Sequence, residues 1–309
     1  MRDMNVVKLP RQISSCRFLS LGAVGWVHRI GDCIVLKYPR QPGCENFARE
    51  IEMYDIFEKH TPCPDIVQSF LRVPAGNFLA FLRRGTLDQR LRAHQIRDDQ
   101  GRGSKVLKVS KTEPLFLIER WIMELSNAAA WLESLGYVHG DIRPPNLLLD
   151  AEDHLKLTDF DCAARLGTPS DGSAPPWARV LGPETGSQNG SFGLYGARTE
   201  QFAIGSILYY MTRGYEPYED EDFGQDHGPI VVDRLRRMVF PHLSAGHLDE
   251  IIRRCWYGEF ALLKDLADQT KTLSGAVELP RAIPLSMEYC LERQKECQRL
   301  VDGGLLAWD

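Results

Sequence analysis

The sequence predicts an α+β fold in two lobes, a small β-rich one with one main helix followed by a larger helical one. Three observations lead there. Cys33-Ile-Val-Leu-Lys-Tyr38 and Asn77-Phe-Leu-Ala-Phe-Leu82 are apolar runs of strand length, the first β-branched and stopped by Pro39. Between Leu115 and Leu135, apolar residues recur at 118, 122, 125, 129 and 132, a helical stripe that Gly136 closes. From Gln201 onward the chain reads mostly as helix.

The remaining elements follow in order. Phe47, Ile51 and Tyr54, spaced i, i+4, i+7, mark an amphipathic helix after the first apolar strand. Gly85 and Thr86 break the pattern after the second. The stretch from Gln95 to Pro114 is polar and reads as a solvated loop. Short strands are expected around Leu147–Leu149 and Leu155–Leu157. Gly167 to Asn189, rich in Gly, Pro and Ser, reads as a long loop, and Ser286–Leu300 as a final helix.

Composition bounds the function. The 309 residues are 43% hydrophobic and 26% charged, with a net charge of −5. That is a globular balance, and the negative net charge argues against coating a nucleic acid, which requires a basic face. No apolar run reaches the ~18 residues of a membrane span. Met1 to Lys8 is charged and lacks the apolar core of a signal peptide. The eight cysteines include no CxxC pair. The expectation is a reducing intracellular compartment, cytoplasmic or nuclear, rather than a disulfide framework.

The chemistry concentrates in His139-Gly-Asp-Ile-Arg-Pro-Pro-Asn146 and Leu155-Lys-Leu-Thr-Asp-Phe-Asp161. Phosphoryl transfer asks for a metal held by hard oxygens, a residue orienting a hydroxyl, and cations on the phosphates. Asp141 and Asn146, five apart across a Pro-Pro turn, can point into one site. Asp159, at the end of a short strand, offers a second carboxylate. Taken singly, each reads as a turn cap. The whole array, with Thr-Asp-Phe after a short hairpin, reads as catalytic.

These residues resemble the protein kinase family. The His139–Asn146 run is similar to its H-R-D-L-K-P-x-N catalytic loop, and Asp159-Phe-Asp161 to its D-F-G. The resemblance implies ATP and Mg²⁺ as cofactors, Asp141 as catalytic base, Asn146 and Asp159 as magnesium ligands, and Arg143 near the γ-phosphate. Ile34-Val-Leu-Lys37 resembles the V-A-I-K strand, which implies that Lys37 holds the α/β-phosphates. Glu50 would pair with Lys37 from the following helix, with Glu52 as the runner-up register. Ser20-Leu-Gly22-Ala-Val-Gly25-Trp-Val27 is similar to G-x-G-x-x-G-x-V with its first glycine replaced. Val35, Leu79 and Leu148 would then surround adenine, with Ala80, Phe81 and Leu82 as the hinge.

The implied domains are an extension over 1–16, an N-lobe over 17–83, a C-lobe over 84–280 and a helical tail over 281–309. Gly182-Pro183-Glu184 looks like the A-P-E that closes the activation segment, and Glu200 to Gly205 like the start of helix F. Arg143-Pro144 resembles the Lys-Pro pair of serine/threonine kinases, so protein substrates with Ser/Thr hydroxyls are expected. Thr168, Ser170 and Ser173 could carry phosphate. No nucleic-acid partner and no membrane span are expected.

Several positions depart from the family pattern. Gly140 replaces the catalytic-loop arginine, so control by a phosphorylated activation segment is not expected. Asp161 replaces a glycine, which should make a flip of the Asp-Phe pair rarer. Glu200 replaces the helix-F aspartate. No arginine after Cys255-Trp256 stands ready to pair with Glu184. Two alternatives stay open: a pseudokinase scaffold without turnover, and a small-molecule kinase of the aminoglycoside or choline type, which also uses H-G-D-x-x-x-x-N.

Overall fold

The computed structural model describes residues 12–41, 43–98 and 105–307. The chain divides into two units, one of residues 1–82 with 283–309 and the other of residues 83–282.

The first unit is built on a five-stranded antiparallel sheet in the order β1-β2-β3-β5-β4. Its strands are β1 (Arg17–Leu21), β2 (Gly25–Arg29), β3 (Ile34–Pro39), β4 (Ser69–Val73) and β5 (Gly76–Ala80), with helix α1 (Glu45–Phe57) between β3 and β4. Strand side chains alternate between the two faces. In β3 this sends Ile34, Leu36 and Tyr38 to one face, where they join Phe70 and Phe78 in a fully buried cluster. Lys37 goes to the other face, where α1 supplies Glu50. Both faces of β3 are covered, which is why the run Cys33–Tyr38 is almost wholly apolar.

The second unit opens with α2 (Leu87–Arg92), started by a capping box in which Thr86 and Gln89 exchange side chain–backbone hydrogen bonds. A small antiparallel pair follows, β6 (Gln95–Arg97) with β7 (Val106–Val109). The stretch read from its polarity as a solvated loop is therefore a hairpin in its described parts. Val106 is buried there, its N–H donates to Glu219 O at 3.2 Å, and Gln95 Nε2 donates to Gly214 O at 2.6 Å. These partners lie more than a hundred residues away, so no local pattern announces them.

Helix α3 (Leu115–Ser134) runs through the unit and ends as expected, with Gly136 at φ 86°. Short strands β8 (Tyr137–Val138), β9 (Leu147–Leu149), β10 (Leu155–Leu157) and β11 (Ala164–Arg165) carry the catalytic-loop region, β9 pairing with β10 and β8 with β11. Helices α4 (Ala197–Arg213), α5 (His227–Arg236), α6 (His247–Tyr257), α7 (Leu263–Thr270) and α8 (Ser274–Glu278) complete this unit.

The last helix, α9 (Met287–Asp302), belongs with the first unit. Ser286 caps it by accepting the Tyr289 N–H at 3.2 Å. Cys297 and Leu305 are buried in the same cluster as Leu36 and Phe78, and the Tyr289 ring meets Phe70 edge-on at 6.1 Å. The sheet is thus layered between α1 and α9. Among the described residues no helix is long and apolar enough to cross a membrane.

Candidate active site

In the first unit, Lys37 is ion-paired with Glu50, and both are buried, Glu50 completely. Glu50 lies on the same helix face as the buried Phe47, Met53 and Tyr54, while Glu52 is exposed. That decides the register between the two glutamates. Glu50 Oε1 also accepts from Asn77 Nδ2 at 3.2 Å, and Asn77 Oδ1 accepts from Ser69 Oγ at 2.7 Å. The carboxylate is therefore held from two strands. A buried charge pair of this kind is stable only while both partners are present.

The turn before Lys37 is tight. Gly22 N donates to Gly25 O at 2.9 Å. A Cβ on Gly25 would come within 2.8 Å of Tyr38 O, so strand β2 can approach β3 there only as glycine. Gly22 meets no such obstacle. Val27 pairs with Lys37 across the ladder, and Val35 with Leu79. Val35 and Leu79 are buried, while Ala80, Phe81 and Leu82 are half-buried. Phe81 spends its N–H on Cys33 O at 2.9 Å and packs its ring under Arg29, 4.6 Å away.

In the second unit, Asp141 is the hub. Its Oδ2 receives Asn146 Nδ2 at 3.0 Å and lies 2.9 Å from Arg143 Nε, an ion pair without hydrogen-bond geometry. Its Oδ1 receives the Ser173 hydroxyl at 2.6 Å. Nothing in the sequence announces this contact of Ser173, which depends on how a 32-residue excursion returns.

His139 fixes the loop from behind. Its Nε2 lies 2.9 Å from Thr158 O, its Nδ1 accepts the Asp141 N–H at 3.2 Å, and its ring lies 5.1 Å from that of Phe160. Gly140 has φ 79°, and a Cβ there would stand 2.5 Å from Cys162 O. The glycine is thus a steric requirement as well as the loss of an arginine.

Glu200 takes up its extra methylene and still reaches the loop. Its Oε2 accepts the N–H groups of His139 at 2.9 Å and Gly140 at 3.4 Å. Complete burial pushes its carboxyl up to about 7, against the pull of those N–H groups. Asp159 has left-handed backbone at φ 71°, leading into a single tight turn, Phe160–Cys162. Asp161 is buried in that turn and is not among the residues with positive φ. Leu148 is half-buried and bridged through its backbone to Thr86. Glu184 pairs with Arg179 at 2.8 Å, an anchor five residues upstream rather than in the late helices.

The donor set suits magnesium. Asn146 spends its amide hydrogens on the main-chain and side-chain oxygens of Asp141, at 2.9 and 3.0 Å. Its Oδ1 remains as a hard donor of the kind Mg²⁺ takes. Among the described residues no group of three or more His, Cys, Asp and Glu could hold a metal. A carboxylate and an amide oxygen are the hard donors taken by an ion such as Mg²⁺, which completes its shell with water and substrate phosphates.

A family model described as protein kinase domain matches residues 45–240, more than half of the chain, a stretch that contains Glu50, Asp141, Asn146 and Asp159 but starts after Lys37. The chain is 34% identical over 122 residues to a RAC family serine/threonine-protein kinase homolog of Dictyostelium discoideum, covering 38% of this chain and 26% of that one. It is 29% identical over 155 residues to myotonin-protein kinase of Homo sapiens, covering 46% and 23%. With Rho-associated protein kinase 1 of Homo sapiens it shares 31% identity over 122 residues, covering 36% and 8%. The matches thus span about a quarter or less of these curated relatives' length. A buried lysine–glutamate pair, a carboxylate hub on the H-G-D loop and a match over most of the helical unit come together in one conclusion: this chain belongs to the protein kinase family.

Proposed function

We propose that this chain transfers the γ-phosphate of MgATP to serine or threonine hydroxyls of protein substrates. The observation that carries the reading is the contact of Asp141 with Ser173. A base must lie within about 2.6–3.2 Å of the oxygen it deprotonates, and Asp141 Oδ1 already receives an aliphatic hydroxyl at 2.6 Å.

In this reading Asp141 orients the incoming hydroxyl and takes its proton. Arg143, beside Asp141, neutralises charge on the transferred group. Lys37, held by Glu50, sits on the α- and β-phosphates, and the backbone of Gly22 and Gly25 approaches them. Val35 and Leu79 contact adenine, with Ala80–Leu82 alongside. Asn146 and Asp159 hold magnesium, which when bound offsets the phosphates' negative charge. The choice of Ser/Thr is supported by Arg143-Pro144 and by the serine/threonine kinases among the relatives.

The test is transfer of labelled phosphate from ATP to a panel of generic proteins, comparing wild type with Asp141→Asn, followed by phosphoamino-acid analysis. Phosphoserine and phosphothreonine are expected from wild type alone. No transfer above the variant would favour a non-catalytic scaffold. Transfer only to small alcohols would favour a small-molecule kinase.

A further inference from the structure

Helix α9 turns one face to the sheet and the other to solvent. Cys297 is buried on the inner face, and Tyr289 and Cys290 are half-buried there. On the outer face Glu288, Leu291, Glu292, Lys295, Gln298 and Arg299 are all exposed. Their spacing follows the helical repeat, so they form one stripe. Met287 flanks that stripe at 80% exposure, and Leu285 just before the helix is exposed as well. Apolar surface is thus gathered at the start of a helix whose other face already serves the core.

The charges on the stripe are arranged at a cost to the single chain. Glu288 and Glu292 are four apart, and so are Lys295 and Arg299. That spacing makes neighbours on a helix, and like charges so placed destabilise it. Among the described residues, the ion pairs of α9 are those of Arg293 with Glu292 at 3.5 Å and with Glu296 at 2.5 Å. Glu288, Lys295 and Arg299 take part in none. Asp302, beyond the basic pair, accepts from Gln298 Nε2 at 2.8 Å. The helix dipole favours acids in the first turn and bases in the last, which accounts for Glu288 and Arg299 but not for Glu292 and Lys295.

We propose that the outer face of α9 pairs antiparallel with the same face of a second copy of this chain, about a two-fold axis beside Leu291. Leu291 stands midway between Glu288 and Lys295. The antiparallel arrangement therefore sets Glu288 of each chain on Lys295 of the other, with the two Leu291 side chains between them. The acidic half of each helix meets the basic half of its mate, so both like-charge pairs receive opposite charges. Met287 and Leu291 leave water in the same step. The patch is self-complementary, so the association closes at two copies. One helix face is a small interface, which makes the dimer a weak one.

The test is sedimentation velocity of the full chain between about 1 and about 300 μM, the range in which a small interface associates. Wild type should pass from monomer to dimer across it. Glu288→Lys and Lys295→Glu should each weaken association by about tenfold or more. Each change also turns a like-charge pair within its own helix into an opposite one, so thermal melting of the monomer should not fall. A lost dimer is then not a lost fold. An equimolar mixture of the two variants should associate about as tightly as wild type, because each reversed charge meets its opposite on the other chain. The double variant should associate with itself again. Leu291→Ser should weaken association in wild type and in the double variant alike. A wild type that stays monomeric, single variants that associate as wild type does, or a mixture that stays monomeric would each overturn the pairing.

Discussion

The Ser173 hydroxyl donates to Asp141 Oδ1 at 2.6 Å, while Asn146 and Arg143 face Oδ2. The carboxylate is therefore fixed in rotation, with one oxygen presented to a hydroxyl. Asp141→Asn keeps the size but cannot take a proton. It is expected to lower kcat by roughly 10²- to 10⁴-fold with ATP affinity nearly unchanged. Ser173→Ala should cost about tenfold in kcat, with Ser173→Thr restoring it. Steady-state kinetics on the three variants check this, and full activity in Asp141→Asn sinks the assignment.

Glu200 makes stability depend on pH in a direction opposite to most carboxylates. Its folded value of about 7 lies above the ordinary 4.5. Between these values the folded chain keeps a proton that the unfolded chain has released. The contribution is full below about pH 4.5 and is lost as pH rises through about 7. Between about pH 5.5 and about pH 8 the loss is about 2 kcal/mol. Glu200→Gln should abolish that slope. Denaturant unfolding of both forms at the two pH values measures it, and parallel curves would refute it.

Gly140 predicts that reinstating the family's arginine fails. The left-handed backbone and the 2.5 Å approach of a Cβ to Cys162 O both oppose any side chain. Gly140→Arg and Gly140→Ala should each destabilise by about 1–3 kcal/mol and depress activity, instead of creating phosphate-dependent control. In the wild type, phosphatase treatment should leave activity within about twofold, since Arg179 is already paired with Glu184. A several-fold loss on dephosphorylation would show that another cation orders the segment.

The α9 contact can be tested by subtraction. Leu305→Ala removes a buried side chain from the cluster around Leu36 and Phe78 and should cost about 2–4 kcal/mol. Ile283→Ala, at a residue 81% exposed, should change stability by less than about 0.5 kcal/mol. Deleting 283–309 should leave the first unit unable to fold. A truncated chain that melts like the full one would mean that α9 is dispensable.

What the sequence made legible depended on range. β3, α3, the β9–β10 pair and the glutamate partner of Lys37 follow from periodicity and from motifs a few residues long. The β6–β7 hairpin was hidden because its composition is polar and its anchors, Gly214 and Glu219, lie far along the chain. The helix of α9 was visible, but its partner was not, since nothing in Cys297 or Leu305 points to Leu36. The Arg179–Glu184 pair is not legible in the sequence, because the family pattern places that glutamate's partner in the late helices. Ser173 against Asp141 is a matter of loop return, which spacing does not encode.

Placing α9 against β3, β4 and β5 also sets an order of events during synthesis. The strands are made before, and the residues that cover one face of their sheet after, the 200 residues of 83–282. At about 5–20 residues per second, that is a wait of roughly 10–40 s. Through it, Ile34, Leu36, Phe70 and Phe78 remain without their cover while the helical unit, a single continuous stretch of chain, can close. The nascent chain thus carries an unfinished apolar sheet face on the ribosome, and chaperones that hold such faces have a defined interval in which to act on it.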